Sequence, residues 1–158
     1  MFMLLPTNSF NNMDKNFDYS QVPYNWALCY ISECSCKEEC MRYQVCKLAP
    51  IGLTRNNCVL PTVMNKKECP HFTPIQVVRV AVGFSRIFAE VKEKHHAAMR
   101  RELAGYLGGG GTFYRYRNGE RLLMPEQQEW IKKLFLRYGY TEEIVFDNYK
   151  DVYRFDDY

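Results

Sequence analysis

The stretch "TFYRYRNGERLLMPEQQEWIKKLFLRYG", residues 112–139, contains the clearest secondary-structure signals in the chain. Its Asn-Gly pair, at 118–119, lies between two runs of strand-forming residues, a pattern typical of a tight β-hairpin. We therefore predict a hairpin over residues 112–123. Because successive side chains on a strand point to opposite faces, Arg115 and Arg117 would then share one face.

Helical patterns flank the predicted hairpin on both sides. Residues 125–138 combine a proline in the first turn, acidic residues early, basic residues late and Gly139 directly after, which together predict a helix. Upstream, residues 84–107 are rich in helix-forming residues and precede the glycines at 108–111. Residues 75–82 are β-branched and fit either a strand or the first turns of a helix.

The chain divides into three sections by composition. Residues 1–20 are polar and Asn-rich, and we expect them to be flexible. Residues 21–74 contain all seven cysteines and little periodicity, whereas residues 75–158 contain no cysteine. We predict an α+β fold, with a small Cys-rich helical and loop lobe packed on a helix–β-hairpin–helix core.

The first residues do not form a convincing export signal. Residues 1–5 are apolar, but Pro6 ends a run that is shorter than the roughly 7–15 apolar residues of a secretory signal. No apolar run approaches the ~18 residues of a membrane span. We expect a cytoplasmic protein without a membrane partner, and Met13 is an alternative start that N-terminal mass spectrometry would test.

The segment "CYISECSCKEEC", residues 29–40, places four cysteines within twelve residues. An odd total of seven and the lack of an export signal argue against a disulfide framework. Reduced thiols can be buried as small apolar groups. Charged neighbours such as Lys37, Glu38 and Glu39 must stay hydrated, however, so a metal site is the favoured interpretation.

The spacing suggests which cysteines would be the ligands. Three of them follow a C-x4-C-x5-C pattern, and a fourth precedes Pro70, as in the last ligand of ferredoxin-type clusters. The absence of a C-x2-C pair argues against ordinary zinc fingers and ribbons. An iron–sulfur cluster is thus slightly favoured over zinc, and both stay open. The predicted ligands are Cys29, Cys34, Cys40 and Cys69, with Cys36, Cys46 and His71 as substitutes.

Basic and aromatic residues in the second half suggest a contact surface for nucleic acid or a partner protein. A net charge of +3 permits an anionic partner without requiring one. The alternative is a half-buried hairpin whose tyrosines pack inward and whose arginines only keep it soluble. The candidate contacts are Arg115, Arg117, Arg121, Lys132, Lys133 and Arg137.

Three segments carry a resemblance to a known family: "WALCYISECSCKEECMRY", "CPHF" and "FYRYRNGERLLMPEQQEWIKKLF". They resemble an uncharacterised domain-of-unknown-function family of gut Bacteroidales, over most of residues 20–150. The resemblance implies no activity. It implies that the family shares an arginine like Arg42 together with Cys29, Cys34, Cys40 and the motif around Cys69. It also implies that Cys36, Cys46 and Cys58 are peripheral.

The sequence contains no Ser/His/Asp signature, nucleophile elbow or H-E-x-x-H motif, so we assign no catalytic residue. The favoured hypothesis is a non-enzymatic metal-binding interaction module with a regulatory role. One alternative is an iron–sulfur protein that senses redox state or transfers electrons. A second alternative is an adaptor that folds without metal.

Overall fold

A computed structural model describes Met13 and residues 17–155, so most of the segment predicted to be flexible, residues 1–20, lies outside the described residues. The chain forms two compact units. The first contains the described residues up to Gln76 and those from Tyr153 onward, and the second is Val77–Val152.

The described residues form four α-helices and three strands, which confirms a mixed α+β fold. The helices are α1 (Met41–Lys47), α2 (Glu93–Tyr106), α3 (Gly110–Arg117) and α4 (Pro125–Arg137), and the strands are β1 (Val77–Val82), β2 (Leu122–Leu123) and β3 (Asn148–Tyr153). Among the described residues, no helix has the length and apolar character needed to cross a bilayer.

The first unit consists of short helices and loops around two small apolar clusters. The larger cluster includes Trp26, Leu28, Met41 and Val45, all buried. The smaller one is built on Cys29, Ile31 and Val59. Such small clusters contribute little hydrophobic stabilisation, so a unit of this kind commonly depends on an additional constraint.

The second unit has a larger core around a three-stranded sheet with the order β2-β1-β3. Strand β1 pairs antiparallel with β2, so that Ala81 lies opposite Leu123 and Val82 opposite Leu122. Helix α4 directs Ile131 and Leu134 into the core. The buried Gln128 amide donates hydrogen bonds to the carbonyls of Arg79 (3.0 Å) and Leu123 (2.9 Å), and thereby ties α4 to the sheet.

The predicted hairpin over residues 112–123 is wrong, because the segment expected to be its first strand belongs to helix α3. Phe113 is buried in the core, and Tyr116, three residues later, packs against the same core. That i, i+3 spacing places both rings on one face of a helix. Packing of these two rings therefore outweighs the strand propensity of the aromatic residues.

The Asn-Gly pair ends helix α3. Asn118 is the C-cap, and Gly119 adopts a φ of +78°, a left-handed conformation that favours glycine. The N–H of Gly119 donates to the carbonyl of Tyr116 (3.1 Å), and that of Glu120 donates to Arg115 (2.9 Å). These two bonds form a Schellman motif, a helix ending that shares the Asn-Gly signature of a hairpin turn.

The other predicted elements correspond more closely to the structure. The helix predicted over residues 125–138 is α4, which stops before Gly139. The ambiguous run at 75–82 contains strand β1. Helix α2 is shorter than the predicted 84–107, because residues 85–90 form turns and the helix begins at Glu93.

Candidate metal centre

The four predicted cysteine ligands, Cys29, Cys34, Cys40 and Cys69, line one cavity of about 390 Å³ in the first unit. Cys29 and Cys40 are buried, whereas Cys34 and Cys69 are partly exposed. Cys29, Cys34 and Cys40 lie within one stretch of twelve residues, and Cys69 comes from a second segment further along the chain. The fold thus brings these four cysteines, and also Cys36, to one cavity.

Backbone hydrogen bonds hold three segments side by side, namely the residues around Cys29, the start of α1 and the residues that follow Cys69. The Cys29 N–H donates to the carbonyl of Arg42 (3.3 Å), which joins the first segment to the start of α1. The Met41 N–H donates to the carbonyl of Thr73 (2.7 Å), and Cys40 forms an isolated antiparallel bridge with Pro74. The cavity walls are therefore fixed by main-chain contacts.

Successive turns wind the segment between Ile31 and Cys40. The N–H of Cys34 donates to Ile31 (3.4 Å), that of Lys37 donates to Cys34 (3.3 Å), and that of Cys40 donates to Lys37 (3.3 Å). Residues three apart in consecutive turns of this kind lie on one side. This winding accounts for Cys34 and Cys40 facing the same cavity.

Arg42 connects all three segments through its side chain, which is almost completely buried. Its Nε donates to the carbonyl of His71 (2.8 Å), and its Nη1 donates to the carbonyl of Ala27 (2.6 Å). Its Cζ also lies 4.7 Å from the centre of the Trp26 ring, a cation–π contact. A guanidinium is suited to this position because its fixed fork can donate to several carbonyls at once.

Burial and nearby thiols shift the pKa values of Arg42 and Cys29. The pKa of Arg42 is lowered by burial, and Cys40, Cys69 and Cys29 oppose this shift only in part. Burial also raises the pKa of Cys29, a backbone hydrogen bond at Ile31 lowers it, and Cys40, Cys34 and Cys69 raise it further. A raised pKa disfavours a nucleophilic role at neutral pH, whereas a metal ion would stabilise the thiolates directly.

The substitute ligands have different surroundings. Cys36 is exposed and lines the cavity, as does His71. Cys46 packs instead against the apolar cluster around Trp26, and burial raises the pKa of its thiol, with a further increase from Cys29. The exposed Cys58 lines a neighbouring cavity, and its backbone pairs with Leu28.

The cavity is not a preformed ion cage. Within Met13 and residues 17–155, no three His, Cys, Asp or Glu side chains are already arranged to hold a metal ion. The four cysteines line one cavity, and their sulfur atoms would have to converge for all four to bind one metal ion or cluster.

The predicted basic surface has a different geometry from the one expected on a strand. Its residues lie on α3, on α4 and in the connection between them, so strand alternation does not apply. Three of them form ion pairs that reduce the positive charge available to a partner. The pairs are Arg115–Glu120 (3.7 Å), Lys132–Glu129 (2.8 Å) and Arg137–Glu102 (2.8 Å). Arg121 lies over the Tyr116 ring, at 5.9 Å from its centre.

Arg42 is the structural residue that sequence reasoning from the spacing missed. Spacing of cysteines identifies thiols, but it does not show that an arginine two residues after Cys40 is buried. Helical spacing was the available signal, because Arg42 lies three residues before the apolar Val45 and thus on the same face of α1.

The fold and the cavity define a mixed α+β protein with a cysteine-lined site in its first unit. A family model described as "Family of unknown function (DUF6078)" matches residues 13–155. The chain belongs to this family, which confirms the resemblance to an uncharacterised family. No curated protein and no solved structure matches the chain.

Proposed function

We propose that the protein is a non-enzymatic metal-binding module in which Cys29, Cys34, Cys40 and Cys69 hold an iron–sulfur cluster. A single zinc ion bound by the same four cysteines is the alternative. The observation that carries this proposal is the shared cavity of these four cysteines, of which Cys69 comes from a segment well separated from residues 29–40. Thiolate ligands of this type suit zinc and iron–sulfur clusters.

Two features of the sequence favour a cluster over a single zinc ion. The last predicted ligand is followed by a proline, Cys69-Pro70, as in ferredoxin-type runs. The cysteines also lack the C-x2-C pair that is typical of zinc fingers and ribbons.

The metal would have a structural role first. A metal that binds only the folded chain contributes its binding free energy to folding, and the first unit has only small apolar clusters. Thiolate ligation also requires reduced cysteines, so we assign the protein to a reducing compartment such as the cytoplasm. We propose nucleic acid or a protein as the regulatory partner. Its proposed contacts are Arg115, Arg117, Arg121, Lys132, Lys133 and Arg137.

A second candidate function is redox sensing or electron transfer. The partial exposure of Cys34 and Cys69 favours it, because solvent access to a cluster tunes its potential and allows loss in air. Exposed apolar residues on the cavity wall, Met64 and Phe72, would lie next to the cluster.

Native mass spectrometry of protein purified without oxygen tests the proposed site. Cys69→Ser is expected to lower the metal content at least tenfold relative to the unmodified chain, because serine is a poor ligand for soft metals. Cys58→Ser is the matched control, since Cys58 is exposed and lines a different cavity. Equal metal content in both variants would refute the assignment of Cys69, and a metal-free unmodified chain would refute the function.

A further inference from the structure

A second concave site lies in the second unit, which contains no cysteine. Its volume is about 430 Å³, and no acidic side chain is among the described residues that line it. The polar and charged residues that line it are Ser85, Arg86, His96, Arg100, Tyr114 and Arg117. For a chain with a net charge of +3, three arginines around one concavity are a strong local concentration of positive charge.

The arginine from α2 is held in place without a carboxylate. The Cζ of Arg100 lies 5.4 Å from the ring centres of both Phe113 and Tyr114, and its guanidinium donates a hydrogen bond to the Tyr114 hydroxyl. In the part of the chain that the structure describes, neither Arg100 nor Arg117 forms an ion pair with a carboxylate. Their charges are therefore available to an anion.

The third arginine has a weak internal partner. The Nε of Arg86 lies 4.0 Å from Oδ1 of Asp147, and the Arg86 side chain is 81% exposed. Such an exposed pair contributes little, so Arg86 can exchange this contact for a bound anion. Asp147 itself has another role, since its Oδ2 accepts a hydrogen bond from the Ser85 N–H (2.6 Å).

The backbone around the site is constrained at its entrance. Gly83 has a φ of +80°, and a Cβ there would lie 2.8 Å from Oδ2 of Asp147 and 3.3 Å from the carbonyl oxygen of Arg117. The next residue, Phe84, donates its N–H to the Arg117 carbonyl (3.1 Å). The backbone of the turn that carries Ser85 and Arg86 is thus fixed against the end of α3.

We propose that this second site binds a phosphate group. Guanidinium groups match phosphate oxygens with paired, charge-assisted hydrogen bonds, and the Ser85 hydroxyl and His96 ring lie on the same concavity. The partly exposed Tyr114 ring offers a stacking face beside the arginines for an aromatic phosphate ester. The site is independent of the cysteine cavity, so this proposal goes beyond the proposed metal-binding function.

Isothermal titration calorimetry of the full chain tests the proposal with inorganic pyrophosphate and phenyl phosphate as probes. Saturable binding of either probe is expected in the micromolar to millimolar range. Arg100→Gln and Arg117→Gln should each weaken it by roughly tenfold or more, because each removes charge-assisted hydrogen bonds. Tighter binding of phenyl phosphate would identify an aromatic ester as the ligand class, and equal binding would identify the phosphate group alone.

Two further variants keep the test decisive. Arg86→Gln should also weaken binding, and its exposed side chain makes it the variant that leaves folding intact. Arg101→Gln is the matched control, because it removes the same charge from an exposed position on α2 outside the concavity. The proposal is overturned if neither probe binds at millimolar concentration, or if Arg101→Gln weakens binding as much as the other three changes.

Discussion

On the proposed metal-binding function, removal of the metal is expected to unfold the first unit while the second unit stays folded. A ligand present at roughly a thousand times its Kd stabilises the folded state by about 4 kcal/mol. For a unit of this size, that loss lowers the Tm by roughly 15–30 °C. The second unit has a larger core of its own and no cysteine, so we expect its stability to be independent of metal.

Hydrogen exchange measured by mass spectrometry, before and after chelation under reducing conditions, resolves the two units. The amides of Met41 and Val59 donate to Thr73 and Leu28 across the first unit, and they should lose protection in the apoprotein. Amides of α4 serve as the internal control. Unchanged protection at Met41 and Val59 in protein shown to have lost its metal would contradict a structural role for that metal.

Replacement of Arg42 by alanine is expected to destabilise the first unit by about 3–5 kcal/mol, because it removes the charged hydrogen bonds of a buried guanidinium to two carbonyls and the cation–π contact with Trp26. Metal content should fall as well, since Arg42 joins the Ala27, Cys40 and His71 segments. Arg42→Lys should recover only part of the stability, because an ammonium cannot reproduce the planar fork.

Urea unfolding followed by circular dichroism, together with metal analysis of each variant, measures this effect. Arg55→Ala is the matched control, because Arg55 belongs to the same unit and is exposed. A change in unfolding free energy no larger for Arg42→Ala than for Arg55→Ala would show that Arg42 does not hold the segments together. If Arg42→Ala is destabilised but keeps its full metal content, Arg42 stabilises the first unit without being needed to assemble the metal site.

The four metal ligands predicted from cysteine spacing stay a prediction. Cys29, Cys34, Cys40 and Cys69 do line one cavity, and so does Cys36, which the spacing did not favour. What spacing cannot give is the orientation of each sulfur, which depends on side-chain rotation.

The error at 112–123 has a specific physical cause. An Asn-Gly pair satisfies a hairpin turn and a Schellman helix ending equally well, since both require left-handed backbone. Packing of Phe113 and Tyr116 against the core of the second unit favours the helix ending over the hairpin turn. The four glycines at 108–111 obscured the start of α3, which includes the last two of them, because glycine usually weakens a helix.

Three arginines of the second unit form a cluster in space that the order of residues along the chain does not reveal. Arg86, Arg100 and Arg117 are far apart in sequence and do not form a charge run. They line one concavity only because the turn after β1, helix α2 and the end of α3 meet there. The candidate contacts chosen from sequence were local, and several of those are neutralised by nearby glutamates.

The most direct test of the proposed metal centre is elemental analysis of the full chain purified without oxygen, reporting iron, zinc and acid-labile sulfide per chain. We predict iron with matching sulfide, as expected for a cluster held by Cys29, Cys34, Cys40 and Cys69. One zinc per chain would keep the four-thiolate site and change its occupant. A folded chain with none of these elements would contradict the proposal that the four cysteines form a metal site.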